Sequence, residues 1–277
     1  MGMLDRLFRR QRRVTEENPT MERPQERRAP ALRLGNVQGV GQRDRQEDSF
    51  AVLNASNAQE LERRGLFAVV CDGMGGMEDG KDASEAAIDG FLQLFQSLLD
   101  EGDVPQQLRE GTLAVSDGIF QRFAGRSGTT VVAVRIFHET LHWLSVGDSA
   151  VFLKRGEGVF QLNEEQTCLN DLYRQELQED VIQKSRAEEN EDARRLTAFV
   201  GMQNLEAVDQ SLRPWRLKRG DAILLCSDGI SGILSPAELR EAMSLPPDEG
   251  CRLLETFVEE KRLPGQDNYT GILILYQ

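Results

Sequence analysis

Runs of apolar, β-branched residues in this chain end again and again in an aspartate that adjoins a glycine. Leu66–Cys71 (LFAVVC) runs into Asp72-Gly73, Leu141–Val146 (LHWLSV) into Gly147-Asp148, and Ala222–Cys226 (AILLC) into Ser227-Asp228-Gly229. Gln266-Asp267-Asn268 stand just before the last apolar run, 270–276, and Glu47-Asp48 stand just before Phe50-Ala51-Val52-Leu53. Runs of this length and branching predict strands. A rigid strand delivers a carboxylate to a fixed place at its end, and a neighbouring glycine lets backbone come close there. Any one Asp-Gly is more simply a turn signal. Five such acidic sites at the ends of apolar runs are poorly explained by turns alone. Carboxylates that converged would repel one another unless a cation bound them.

The donor chemistry narrows the cation. Carboxylate and carbonyl oxygens without nearby His or Cys make a hard ligand set, suited to Mg²⁺ or Mn²⁺. The two histidines, His138 and His142, fall in or beside strands and away from these acids, which argues against a zinc site or a Ser-His-Asp triad. Ser127 and Ser227 are expected to hydrogen-bond strand ends. The four cysteines, at 71, 168, 226 and 251, fit no zinc spacing. Cys71 and Cys226 read as buried thiols, and a reduced, cytoplasmic setting accounts for all four. The net charge of −13 argues against nucleic acid as a partner. No apolar run approaches the roughly 18 residues of a membrane span.

Two regions stand apart from the rest. Residues 1–30 are rich in Arg, Glu and Pro, and residues 1–28 hold eight arginines against five acidic residues. They read as a flexible basic tail preceding one domain over 31–277. Leu4, Leu7 and Phe8 could edge a basic amphipathic helix on an anionic membrane, but one short apolar edge binds weakly, and a solvated tail is the simpler expectation. Residues 163–195 carry ten acidic and five basic residues with no clear core pattern, and read as an exposed, mobile acidic flap. Elsewhere, 129–136 predicts a further strand. Helices are expected over 83–99, from Pro105 onward, from Ser235 with a capping box at Glu238, and over 248–261. Strands that follow one another closely, as 129–136 and 141–146 do, suggest antiparallel sheets flanked by helices.

Taken in order, these segments resemble the motifs of the metal-dependent type 2C (PPM) protein phosphatases in their bacterial serine/threonine form. Arg43-Asp44-Arg45-Gln46-Glu47-Asp48 is similar to the family's R-x-x-N-E-D. Asp72-Gly73-Met74-Gly75-Gly76 is similar to its D-G-M-G-G, and Ser127-Gly128-Thr129-Thr130 to its S-G-T-T. Gly147-Asp148-Ser149 resembles its G-D-S-R, and Leu196-Thr197 with Gly201 its L-T-x-x-x-G. Gly220-Asp221 through Ser227-Asp228-Gly229 resembles its G-D-x-x-L-L-x-S-D-G, and Asp267-Asn268-Tyr269-Thr270 its D-N-x-T. The resemblance spans about 35–277.

The resemblance implies an α+β fold: a four-layer α-β-β-α sandwich of two antiparallel sheets packed face to face, with helices outside. It implies two Mn²⁺ or Mg²⁺ ions and a third, weaker site. Asp72 would bridge the pair, with the Gly73 carbonyl on one ion, Asp228 and Asp267 completing the second site, and Glu47 bound through water; Asp48 belongs to the same ligand set. Asp148 would serve the third ion, Arg43 would hold the substrate phosphate, and Asn268 would orient Asp267 behind the ligands. The implied reaction is hydrolysis of phosphoserine and phosphothreonine in proteins, by a water activated between the metals and attacking in line without a phosphoenzyme. Phosphorylated proteins, with a cognate serine/threonine kinase and its substrates, are the expected partners, and a monomer the expected state.

This chain departs from the pattern in places. Gln46 stands for Asn, Met77 for a common His, Ala150 for the Arg of G-D-S-R, and Glu164-Glu165-Gln166-Thr167 for a D-H-S. These bear on substrate contacts, the general acid and the third ion. Two rival functions share the fold: a pseudophosphatase that binds phosphoproteins without turnover, which intact Asp72, Asp228 and Asp267 argue against, and a phosphatase of a different substrate class.

Overall fold

A computed structural model of the protein describes residues 31–74, 79–98, 102–179 and 184–277. The basic segment 1–30 and Gly75-Gly76-Met77 lie outside the described residues. The strands are β1 (Leu32–Gly39), β2 (Ser49–Leu53), β3 (Leu66–Cys71), β4 (Val131–Phe137), β5 (Thr140–Val146), β6 (Ala150–Arg155), β7 (Gly158–Gln161), β8 (Asp209–Gln210), β9 (Trp215–Arg216), β10 (Ala222–Cys226) and β11 (Tyr269–Tyr276). The helices are α1 (Ala58–Arg64), α2 (Gly80–Ser97), α3 (Val104–Phe123), α4 (Cys168–Gln178), α5 (Lys184–Glu188), α6 (Asp228–Ser231), α7 (Pro236–Ala242) and α8 (Pro247–Lys261).

The strands form two sheets, one ordered β1-β11-β10-β6-β7 and the other β2-β3-β4-β5-β8, with β9 also on β5. Every pairing is antiparallel. Side chains alternate across a strand, so each sheet has two faces to cover. Leu66, Ala68 and Val70 of β3 turn toward the other sheet and pack with Val132, Val134, Leu225, Ile272 and Ile274. Phe67, Val69 and Cys71 turn outward onto Ala87, Phe91 and Phe95 of α2 and Ile119 of α3. On the second sheet, Leu224, Cys226 and Leu273 face Leu239 of α7 and Leu254 and Val258 of α8. The expected α-β-β-α sandwich is therefore the observed one. Burial on both faces is also why the β3 and β10 runs are continuously apolar rather than alternating.

The helix starts follow local chemistry. Ser235 and Glu238 form both bonds of the capping box, and Asp103 caps α3 with Pro105 in its first turn. Elements were also missed or shifted. The strand expected from Thr129 is continuous only from Val131, although Thr129 still pairs with Gly73 in the register of β3 and β4 and both threonines bond Asp72. Helix α2 starts at Gly80 and ends at Ser97 rather than spanning 83–99. β1 carries two glycines and several polar residues, so its strand character comes from pairing with β11 along its whole length. The segment 163–195 is largely exposed, as expected, yet it is not patternless. It holds α4, capped by Thr167, and α5, with Ala187 and Ala193 buried.

The inter-sheet layer should dominate stability. Leu225→Ala, at a fully buried site, should cost about 2–5 kcal/mol in urea unfolding. Leu212→Ala, at a position 81% exposed, should change it by less than about 0.5 kcal/mol. Equal losses would contradict this layering.

Candidate active site

Strand register alone gathers the acids at one edge. Ser49 of β2 pairs with Cys71 of β3, which sets Asp48 beside Asp72. Cys226 of β10 pairs with Gly271 of β11, so Asp228, just past one strand, and Asp267, just before the other, share that edge. Val131 of β4 pairs with Val146 of β5, which brings Thr129 and Thr130 to Gly147-Asp148.

Two glycines allow the segments to close up. A Cβ at Gly73 would sit 2.3 Å from the Gly80 carbonyl oxygen and 2.7 Å from that of Glu47. At Gly229 it would sit 1.9 Å from the Asn268 carbonyl oxygen. Any side chain at either place would push the acid-bearing loops apart.

Hydrogen bonds then fix each loop. The Asp72 N–H donates to Thr130 Oγ1 at 3.1 Å, and its carbonyl accepts from Thr129 Oγ1 at 2.7 Å and from the Thr130 N–H at 2.9 Å. Thr130 Oγ1 in turn bonds Ser149 Oγ at 2.7 Å. Ser227 Oγ donates to Asp48 Oδ2 at 2.9 Å and accepts from the Thr270 N–H at 3.0 Å. Asn268 does two jobs. Its own N–H holds Asp267 Oδ1 at 2.8 Å, while its side chain accepts from the Glu47 N–H at 2.8 Å and donates to the carbonyls of Val40 and Arg45. Arg43 reaches the cluster at its open side, Nη2 lying 2.6 Å from Asp267 Oδ2 with both side chains well exposed.

The cluster is short of positive charge. Asp48 Oδ1 and Asp228 Oδ1 are buried without a hydrogen-bond partner. Burial, then the charges of Asp48, Asp228 and Asp148, hold the Asp72 carboxyl well above the usual carboxylate range. Burial, with Asp228 and Glu165, pushes Asp148 up to about 7. Burial, with Asp267 and Asp48, pushes Asp228 up to about 6. Burial also raises Asp48, against the bonds it receives from Thr270 and Ser227. Among the described residues no three of the His, Cys, Asp and Glu side chains are drawn into a closed ligand cage. The all-oxygen donor set, the orphaned oxygens and the mutual repulsion nevertheless fit a hard divalent cation.

The sequence singled out Glu47, Asp48, Asp72, Gly73, Asp148, Asp228, Asp267, Asn268 and Arg43, and all of them border this edge. Ser227 binds a strand end as expected, whereas Ser127 Oγ is buried without a partner. His142 lies in β5 opposite Arg135, nearer the far end of the sheet, and burial and then Arg135 lower its pKa. Three further contributors were given no such role from the sequence. Lys81 Nζ donates to the Asp48 carbonyl at 2.8 Å, and Ser84 Oγ donates to that of Glu47 at 2.6 Å. Gln166 accepts from the Gly147 N–H at 2.9 Å and ties the base of the 163–195 segment to the Asp148 turn. Only the i, i+3 pairing of Lys81 and Ser84 on one helix face hinted at any of these.

The protein phosphatase 2C family model matches residues 41–262, and the chain belongs to that family of serine/threonine phosphatases. The serine/threonine phosphatase stp of Listeria innocua is 25% identical over 240 residues, covering 84% of this chain and 90% of that protein. The fold matches that of the serine/threonine phosphatase Stp1 from Staphylococcus aureus with a TM-score of 0.74 at 22% identity, over 89% of this chain and 95% of that one. It also matches the catalytic domain of the serine/threonine protein phosphatase PstP in complex with two manganese ions, with a TM-score of 0.69 at 22% identity, over 89% of this chain and 99% of that one.

The charge deficit is measurable without metal. Burial, with the charges of Asp267 and Asp48, pushes the Asp228 carboxyl up to about 6, above the usual carboxylate range, so the folded state holds its proton to higher pH. Its contribution to stability is present in full below about pH 4 and lost as pH rises through about 6. In chelator, Asp228→Asn should gain stability relative to wild type over that window, by on the order of 1–2 kcal/mol. A difference in melting that does not change with pH would mean that Asp228 carries no such repulsion.

Proposed function

We propose that the protein is a metal-dependent phosphatase that removes phosphate from phosphoserine and phosphothreonine in other proteins, using two Mn²⁺ or Mg²⁺ ions. The observation that carries this is the set of converging, cation-deficient carboxylates at one edge of the sandwich, in a chain of the 2C family. Asp72, Asp48, Asp228, Asp267, Glu47 and the Gly73 carbonyl would hold the two ions, and Asp148 would serve a third. The ions would supply charge neutralisation and an acidified water. The manganese in the PstP structure is in keeping with this.

The chain's own groups do the rest. Arg43 stands at the open side with an exposed guanidinium, free to exchange Asp267 for two phosphate oxygens in a bidentate contact. Asn268 holds Asp267 and the Glu47 loop in step. Ser227, Thr129, Thr130 and Ser149 all spend their hydroxyls on structural bonds. With no described histidine beside the cluster, direct in-line attack by water is favoured over a phosphoenzyme. We place all of this chemistry in residues 31–277, with phosphorylated proteins, a kinase and its substrates included, as partners. The free cysteines suit a reducing cytoplasm.

Release of phosphate from a phosphothreonine peptide should stop in chelator and return with Mn²⁺ or Mg²⁺. Asp72→Asn should abolish it while the protein still melts cooperatively. Turnover that survives exhaustive chelation would overturn the metal mechanism, and a folded wild type that binds the peptide without turnover would favour the pseudophosphatase.

Arg43→Lys keeps the charge and loses the fork. It should lower kcat/KM about tenfold or more with metal affinity little changed. Unaltered kinetics would reduce Arg43 to a surface ion-pair residue.

A further inference from the structure

The body of this acidic protein carries a surface of opposite character. From Ser211 to Gly220 the chain reads SLRPWRLKRG, four basic residues and no acidic one. Residues 212–216 and 218–220 are all exposed, Leu212 by 81% and Trp215 by 43%. Among the described residues Arg216 is ion-paired, to Glu139 at 3.0 Å, and Arg213, Lys218 and Arg219 have no such partner.

This loop has a fixed shape. Trp215 and Arg216 pair with Leu141 and Thr140 at the start of β5. Arg155 braces the loop from behind. Its guanidinium bonds both oxygens of buried Asp221, at 2.9 and 2.6 Å, and the Arg216 carbonyl at 2.9 Å, and it lies 5.8 Å from the Trp215 ring centre. Asp221 also accepts the Lys218 N–H at 2.7 Å. The brace neutralises the acid nearest the loop, leaving Glu139 and Glu157 as the exposed acids of the adjoining hairpins.

The loop sits at the end of the sandwich away from the catalytic edge. β5 runs from this end to Asp148, and β11 runs from Asp267 to it, its eight residues spanning about 25 Å. Residue 31, where the described chain begins, lies at the same end. Leu32 pairs with Tyr276, the Ala31 carbonyl accepts the Gln277 N–H at 2.9 Å, and the Tyr276 carbonyl accepts the Gly220 N–H at 2.8 Å. In the sequence this end is preceded by residues 1–28, with eight arginines against five acids.

From this juxtaposition we infer that this end of the molecule docks on an anionic phospholipid membrane, with the catalytic edge turned away from the bilayer. No helix among the described residues can span a membrane, so the contact is peripheral. Stable attachment takes apolar insertion and charge attraction acting together, and the fixed loop supplies both. An indole suits the headgroup level of the bilayer, Leu212 adds buried apolar area, and each Lys or Arg adds attraction to the negative surface. The clustered acids at the opposite end would be repelled by that same surface, which sets the orientation.

The test is co-sedimentation of the full chain with vesicles of phosphatidylcholine alone and with vesicles that also contain phosphatidylglycerol. Binding to the anionic vesicles only, fading as salt shortens the Debye length, is the expected result. Arg213→Gln, Lys218→Gln and Arg219→Gln together should weaken it roughly a hundredfold. Trp215 emission should shift to the blue on anionic vesicles, and Trp215→Phe should remove that shift, since Trp143 is buried. Each variant should hydrolyse a small phosphoester in the absence of vesicles at the wild-type rate, showing that the fold is intact. Absence of binding at low salt, or a triple variant that binds like wild type, would overturn the assignment. Binding to soluble heparin but not to vesicles would also overturn it, giving this surface to an acidic macromolecule instead.

Discussion

Carboxylates brought together against their own repulsion are the constraint on which this molecule turns. Left to themselves, Asp48, Asp72, Asp148 and Asp228 would separate or stay protonated, and their raised pKa values register that tension. They stay together because the loops that bear them are anchored by hydrogen bonds, most of them to the backbone. Asp72 is pinned by three main-chain bonds to Thr129 and Thr130, and Asp228 starts α6 at the end of a strand buried on both faces. The sandwich supplies the energy. Two sheets and two helix layers bury enough apolar surface to hold a small region in an unfavourable electrostatic state.

The same arrangement explains what could be read without a structure. The five acidic sites were legible because each sits at the end of an apolar run, and such runs are visible when both faces of a strand are buried, as in β3 and β10. Convergence was not legible, since it rests on register: Ser49 opposite Cys71, and Cys226 opposite Gly271. β1 was missed because an edge strand with two glycines carries little pattern of its own. The order within 163–195 was missed because α4 has no fully buried residue, which leaves only a weak periodic signal. The roles of Lys81, Ser84 and Gln166 escaped notice for another reason. They act on main-chain groups of Asp48, Glu47 and Gly147, and nothing in composition marks such a bond.

Charge is distributed along the strands as well as across the surface. Acids gather where β3, β5 and β10 end, and unpaired basic groups where β5 and β10 begin. An antiparallel sandwich makes this separation easy, because every strand has one terminus at each end. A net charge of −13 therefore conceals a strongly polar molecule, and the whole-chain figure is a poor guide to what either end will bind.

The Arg43–Asp267 pair shows how the two halves of the proposed site fit together. Both partners are exposed, and an ion pair in water contributes about 0–1 kcal/mol. A buried pair would cost several times more to break, and Arg43 would then be locked away from substrate. At the rim it is held weakly, near where the phosphate must arrive, by an acid that a divalent cation would claim. In the proposed mechanism, cation and phosphate would each draw on one partner of this loose pair. Asn268, tied at once to Asp267 and to the Glu47 loop, keeps the carboxylate half of that exchange in register with the rest of the cluster.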